Sequence, residues 1–344
     1  MARNSVRTGW LSLACAAALV VPCVVSCNKG DGGATGGAPN PLGGGAAAAG
    51  GPLDYIPKDA GLVVGVNWSK FKGTKFHTLL LSSFPPDAKT KMDEFKAACN
   101  IDPLNDLDSI VVGVVGNLDK QSKAVVIVKG GWDEDKISKC ATAYGEKKGK
   151  KMTVAKDGNI TSYTPENDKT VNVGWAGNLM VFTSQSMEGD KTYLAEVMKK
   201  ASTVKDNKAI MDLLGKTDQG GTIYGAFVPP PGSDAAGAFN KMTGGKEQLA
   251  GAYGTMKLAS DLDLNLGLRF GSDADAKTVA DKMSKELDGA KNSPQGAFLN
   301  KTTVSTSGSD TIIKVALDEK QLDQISEMAK QMAPMIMGGM LGGQ

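Results

Sequence analysis

The stretch Ser260–Phe270, SDLDLNLGLRF, admits two readings, and the choice between them decides the fold. Asp261, Asp263 and Asn265 stand at alternate positions, as the first ligands of a calcium loop do. Such a loop needs a glycine directly after the third ligand and a distal Glu to close it, and Leu266 follows Asn265 instead. Leu262, Leu264, Leu266 and Leu268 occupy the positions between the polar residues. Leucine on one side and carboxylate or amide on the other is the pattern of a strand that covers a core with one face and meets water with the other. The stretch is therefore expected to be a half-buried strand.

Working outward, GLVVGVNW (61–68), SIVVGVVGNL (109–118) and KAVVIVKGG (123–131) are compact apolar runs rich in the β-branched residues that suit a pleated surface. Hairpin punctuation recurs. Asp157-Gly158 between KMTVAK and NITSYT is a type I′ turn signal, GWAGN separates TVNV from LMVFTS, and SGSD separates TTVST from TIIKVAL. Antiparallel connections are thus expected to dominate. Helical spacing marks SKFKGTKFHTLLLSS (69–83), KMDEFKAACNID (91–102), DEDKISKCATAYG (133–145), GDKTYLAEVMKKA (189–201), DADAKTVADKMSKELDGA (273–290) and DEKQLDQISEMAKQM (318–332). Several open on an Asp able to cap the first turn.

The order strand, helix, hairpin, helix runs from Ala124 to Lys200 and again from Leu262 to Lys330. The expected class is α+β, internally duplicated, with mostly antiparallel sheets and packed helices, its halves at 53–205 and 206–332 either facing each other or sharing one long sheet.

The N-terminus has the order a secretion machinery reads: Arg3 and Arg7, then an apolar run from Trp10 to Val25 without an acidic residue and interrupted by Pro22. It ends in VVSC. Val24, Val25, Ser26 and Cys27 resemble the lipobox of bacterial lipoproteins, although that family usually has Leu where Val24 stands. The resemblance implies removal of residues 1–26 as a signal peptide, lipid attachment to Cys27, and, with Asn28 in place of an inner-membrane-retaining Asp, an outer-membrane address facing either the periplasm or the outside. The alternative is an ordinary signal peptide cut elsewhere. Residues 27–52 are Gly- and Ala-rich, with almost nothing large enough to bury, and are expected to act as a flexible linker. YIPKDAGLVVGVNWSKFKGTKFHTLLL (55–81) also resembles the opening of uncharacterised bacterial lipoproteins, through Pro57, Asp59, Ala60, the strand to Val66, Asn67 and a helix through Phe71. That family brings no known activity.

Lysine and arginine number 39 against 37 acidic residues, and loss of Arg3 and Arg7 with the leader removes the net +2. A neutral body has no electrostatic footprint for nucleic acid. The densest basic run, Lys147–Lys151, falls where a helix should end and a strand begin, which suits a solvated turn. Cys15 and Cys23 leave with the leader, so Cys99 and Cys140 remain, both on apolar helical faces. In an oxidising compartment a disulfide between them is expected, two separately buried thiols being the alternative.

Catalytic signatures are missing. The single histidine, His77, lies beside Phe76 on an amphipathic helix, and no G-x-S-x-G accompanies it. LLGKTD (213–218) has the end of a phosphate loop without its first glycine, because Ile210 stands there. The tail, residues 333–344, continues a Met-rich segment in which Met332, Met335, Met337 and Met340 are weak candidates for a Cu(I) site. Methionine is equally a filler of loose apolar packing, and Leu322, Ile325, Met328 and Met332 already form a helical stripe. The expectation is a non-catalytic, membrane-anchored envelope lipoprotein without cofactor, acting as a binding or scaffolding module for an envelope protein partner. A periplasmic carrier of an apolar ligand and a Cu(I)-handling lipoprotein are the alternatives.

Overall fold

The computed structural model describes residues 50–83, 86–102, 104–116, 122–230, 247–291 and 296–324. Twelve strands form one continuous antiparallel sheet: β1 (Ala60–Asn67), β2 (Leu107–Val115), β3 (Lys123–Gly130), β4 (Met152–Asp157), β5 (Ile160–Pro165), β6 (Val171–Ala176), β7 (Leu179–Thr183), β8 (Ile223–Phe227), β9 (Leu249–Leu258), β10 (Leu262–Phe270), β11 (Thr303–Ser307) and β12 (Asp310–Leu317). Their order across the sheet is β11-β12-β10-β9-β8-β1-β2-β3-β7-β6-β5-β4. The helices are α1 (Trp68–Phe71), α2 (Lys75–Ser83), α3 (Pro86–Cys99), α4 (Glu134–Lys147), α5 (Thr192–Met198), α6 (Lys208–Leu214) and α7 (Asp273–Lys291), and residues 319–324 begin another.

The sheet has a front and a back. Val63, Val111, Val125, Ile127, Val181 and Tyr224 point forward into a buried cluster with Leu53, Tyr55 and Ile56, with Leu194 and Val197 of α5, and with Ile210, Leu213 and Leu214 of α6. On the back, α3 and α4 cover β5 to β7 through Trp132, Cys140, Tyr163, Val173 and Trp175. At the other end α7 lays Ala276, Val279 and Met283 against Leu268, Phe270 and Ile313. The SDLDLNLGLRF stretch forms β10 with its leucines on the back and Asp263 and Asn265 exposed on the front, so its carboxylates are not gathered around a common centre.

Glycine makes room for the large forward side chains. A Cβ at Gly65 would strike the ring of Tyr224, one at Gly267 the ring of Tyr253, and one at Gly113 the side chain of Ile56. Each ring or branch lies flat over a strand that offers no side chain of its own, which fills the gap and adds burial.

Three sequence expectations change. The helix expected over 69–83 is two helices, because Gly73 takes a left-handed φ of 84° and Thr74 starts the second one, its hydroxyl accepting from the amide of His77 at 3.1 Å. The Asp157-Gly158 hairpin is not type I′: Gly158 is left-handed at φ 60°, but Asn159 is not, which is the pattern of a type II′ turn. Gly177 and Gly308 repeat it at the other two-residue hairpins. Finally, α7 is capped by Ser272, whose hydroxyl accepts from the amide of Asp275 at 3.1 Å, and not by Asp273. Strands β8 and β9 lie outside the sequence expectations, because IYGAF and LAGAYGTMKL are too rich in glycine and alanine to read as strands.

Asp310 is 1% exposed and ties this end of the sheet together. It accepts from Arg269 Nε at 2.8 Å, from the Tyr253 hydroxyl at 2.9 Å, and from Lys216, which follows α6. Burial opposes ionisation of the carboxyl, but the hydrogen bonds from Arg269, Lys216 and Tyr253 outweigh it and hold the pKa down at about 2. With the folded value below the ordinary 3.8, the stabilisation is present above that pH and is lost as pH falls toward about 2. Asp310→Asn should therefore cost about 2–4 kcal/mol at neutral pH, somewhat less than breaking a wholly buried pair because Lys216 and Arg269 reach solvent. In urea unfolding the gap between wild type and variant should shrink between pH 4 and pH 2; an unchanged gap would count against this role.

Candidate functional site

The back of the sheet carries the most organised surface. Its left wall is the α3–α4 pair. Asn100, at a left-handed φ of 49°, ends α3, its amide bonding to the carbonyl of Lys96 at 3.0 Å. Asp133 starts α4 by accepting from the amide of Lys136 at 2.8 Å. Packing of the two helices brings Cys99, the last residue of α3, to Cys140 in the middle of α4, in a disulfide with Cα atoms 4.6 Å apart. Phe95 and Tyr144 pack beside it at 5.7 Å between ring centres, and Lys148 pairs with Glu94 at the outer edge. The Tyr163 hydroxyl lies 3.0 Å from Ser138 Oγ, and burial raises its pKa. The wall is thus locked covalently and by packing, and its loop of 41 residues makes the bond worth roughly 4 kcal/mol by chain entropy.

Its right wall is α7. Between the walls lies a floor of sheet. Cross-strand register sets Val126, Val112, Val64, Gly225, Gly254 and Leu266 in one row from β3 to β10. The adjacent row holds Val114, Leu62, Phe227 and Ala252. Val126, Val112, Val64, Leu62 and Phe227 are half-buried and belong to none of the four buried clusters. The third row, Val66, Met256 and Leu264, is closed by Trp68, Phe71 and Leu322.

His77 sits at that closed end. Its ring meets Trp68 edge-on at 5.5 Å and Phe71 at 5.8 Å, and Nδ1 accepts from the amide of Gly73 at 3.4 Å. Burial, aided by Lys72, lowers its pKa below the ordinary 6.5. The imidazole is a packing element of an aromatic box.

Of the residues singled out from sequence, Cys99 and Cys140 are brought together; Cys27, Met332, Met335, Met337 and Met340 lie outside the described residues. Among the described residues no three His, Cys, Asp or Glu side chains converge as a metal site. LLGKTD is the end of α6 and the turn after it, and KKGKK is the turn between α4 and β4, with Gly149 at φ 66°. Two surface concavities are lined by Lys151, Glu166, Asp168 and Lys169, and by Lys58, Asp59, Asp206 and Lys208. The apolar floor escaped sequence reading because two of its strands, β8 and β9, did; the alternation of Tyr, Gly and Ala in both was the available signal.

No protein-family model matches the chain, and no curated protein matches it. Among solved structures the chain is similar to crystal form I of TP0453, with a TM-score of 0.46 and 10% identity, over 81% of this chain and 98% of that one. That likeness is too distant to carry an argument about fold or function.

Two measurements follow from this geometry. Mass spectrometry of the unreduced, denatured protein after alkylation should find neither Cys99 nor Cys140 modified; full modification of both would mean free thiols. Because His77 is the only histidine, its ring resonance can be titrated by NMR in untagged protein. The midpoint should lie below 6.5, so that stability declines as pH drops through the unfolded value while the folded imidazole stays neutral. A midpoint at or above that value would contradict the buried box.

Proposed function

We propose that the protein is a lipid-anchored envelope lipoprotein, held at the outer membrane through Cys27 and acting without catalysis as a binding or scaffolding module for an envelope partner. The carrying observation is the junction of tract and body. The Gly/Ala-rich run ends where Leu53 and Tyr55 enter the main front cluster, with Lys205 paired to Asp54 and Lys200 lying 4.2 Å over the Tyr55 ring. A pull on the tether would thus be borne by the core. As a random coil, the residues between Cys27 and Pro52 would reach roughly 25–30 Å, enough to hold the body clear of lipid headgroups.

The internal duplication belongs to the same proposal. The three-stranded run β1-β2-β3, then α4, then β6-β7 beside β3, is paralleled by β8-β9-β10, then α7, then β11-β12 beside β10. On this reading β4-β5 is an added hairpin in the first half, and the two halves meet through β1 and β8. A second functional reading, a carrier of an apolar ligand, draws on the half-buried floor between α4 and α7.

The anchor is tested with a labelled fatty acid. Wild type should incorporate label and sediment with membranes, whereas Cys27→Ser should do neither. Equal incorporation by both chains would remove the lipoprotein reading.

A further inference from the structure

Strand β4 is an edge of the sheet. β5 bonds to one side of it, and among the described residues no strand bonds to the other. Residues 153–157 are exposed without interruption, and Val154 is the one large apolar side chain left exposed among the described residues. Sheet edges are commonly blunted by a bulge or a proline. Met152–Asp157 has neither, its register with β5 running unshifted from Met152 opposite Pro165 to Asp157 opposite Ile160. The lysine within the strand, Lys156, is drawn onto the start of α4 by Glu134 at 2.6 Å.

The hairpin fixes which backbone groups face outward. Asp157 and Ile160 flank a two-residue turn and so exchange hydrogen bonds, as do Ala155 with Ser162 and Thr153 with Thr164. The same phase holds beyond the strand, where the Lys151 carbonyl accepts from the amide of Glu166 at 2.8 Å. The N–H and C=O groups of Met152, Val154 and Lys156 therefore point away from the sheet. Charge is divided between the two ends of the strand. α4 runs back along β4, with Glu134 beside Lys156 and Gly145 against Met152. Acidic residues 133–135 thus stand at the Asp157 end and the basic Lys147–Lys151 run at the Met152 end. Asp135, Lys147 and Lys151 are exposed and form no ion pair among the described residues.

We propose that β4 pairs with the β4 of a second copy, antiparallel about a two-fold axis at Val154, so that two sheets continue into one. Val154 then meets the partner's Val154, Met152 faces the partner's Lys156, and Lys151 faces the partner's Asp157. The last is an opposite-charge pair made twice per dimer. Asp157 already pairs with Lys191 of its own chain at 2.6 Å, but its side chain is 73% exposed and has room for a second cation. The basic end of each α4 also comes beside the acidic end of the other. Charge selects this register. An in-register parallel pairing would set Lys151 beside the partner's Lys151, and an axis at Thr153 would set Lys150 against the partner's Lys156. The KKGKK run, a solvated turn in one protomer, becomes one side of a closed, self-complementary interface. This inference does not rest on the lipid anchor.

Sedimentation equilibrium of the purified full chain in density-matched detergent tests it. Wild type should show a concentration-dependent monomer–dimer equilibrium. Val154→Pro removes an outward N–H and leaves every bond to β5 in place. Because that N–H is used twice in the dimer, the dissociation constant should rise about tenfold or more, with an unchanged near-UV circular dichroism spectrum. Lys151→Glu and Asp157→Lys each oppose like charges twice and should weaken pairing about tenfold. Mixed in equal amounts, these two variants should associate with each other as tightly as wild type. A monomer mass at every concentration would overturn the proposal, as would a dimer that Val154→Pro leaves intact. Mixed variants that associate no better than either alone would overturn the register and with it the assigned interface.

Discussion

The pairing of β1 with β8 is the constraint on which the rest of the architecture depends. Five residues of each strand face each other, Leu62 to Val66 against Phe227 to Ile223, and this seam makes a single twelve-stranded surface from two runs of strands far apart in sequence. It succeeds because both strands are thin where they must be. Gly65 lies under the Tyr224 ring on the front, and Gly225 lies beside Val64 on the back. A larger residue at Gly65 would collide with the ring that covers the seam, and the front cluster that joins α5, α6 and the segment Leu53 to Ile56 would lose its centre.

From that seam the two ends of the sheet are stabilised by different chemistry. Toward β4 the back is held by an apolar cluster containing two tryptophans, with a disulfide clamping the helices above it. Toward β11 a helix covers the back, and a buried carboxylate on the front collects a guanidinium, an ammonium and a phenol from three separate elements. Apolar burial is non-directional and tolerates adjustment. The Asp310 network is directional, and it sets the relation between the end of α6 and strands β9, β10 and β12.

The middle of the back differs from both. Helices wall it on either side, valines and glycines floor it, and the only described element reaching toward it is the turn of helix bearing Leu322.

Sequence by itself determined what depends on near neighbours. Alternation in SDLDLNLGLRF gave a strand and not a calcium loop, glycines at 158, 177 and 308 gave tight hairpins, and capping aspartates such as Asp133 gave helix starts, because side-chain period and backbone preference act within a few residues. The lipobox resemblance and the Gly/Ala tract are likewise local patterns. Tertiary structure alone decided the rest. It recruited IYGAF and LAGAYGTMKL as central strands despite their poor strand propensity. In those strands the missing side chains are supplied from across the fold, by Leu213 over Gly251 for instance, and the cost of a glycine in a strand is offset only once the distant group that covers it has arrived. No window along the chain contains that group, so neither the seam nor the floor beside it could be read from the sequence.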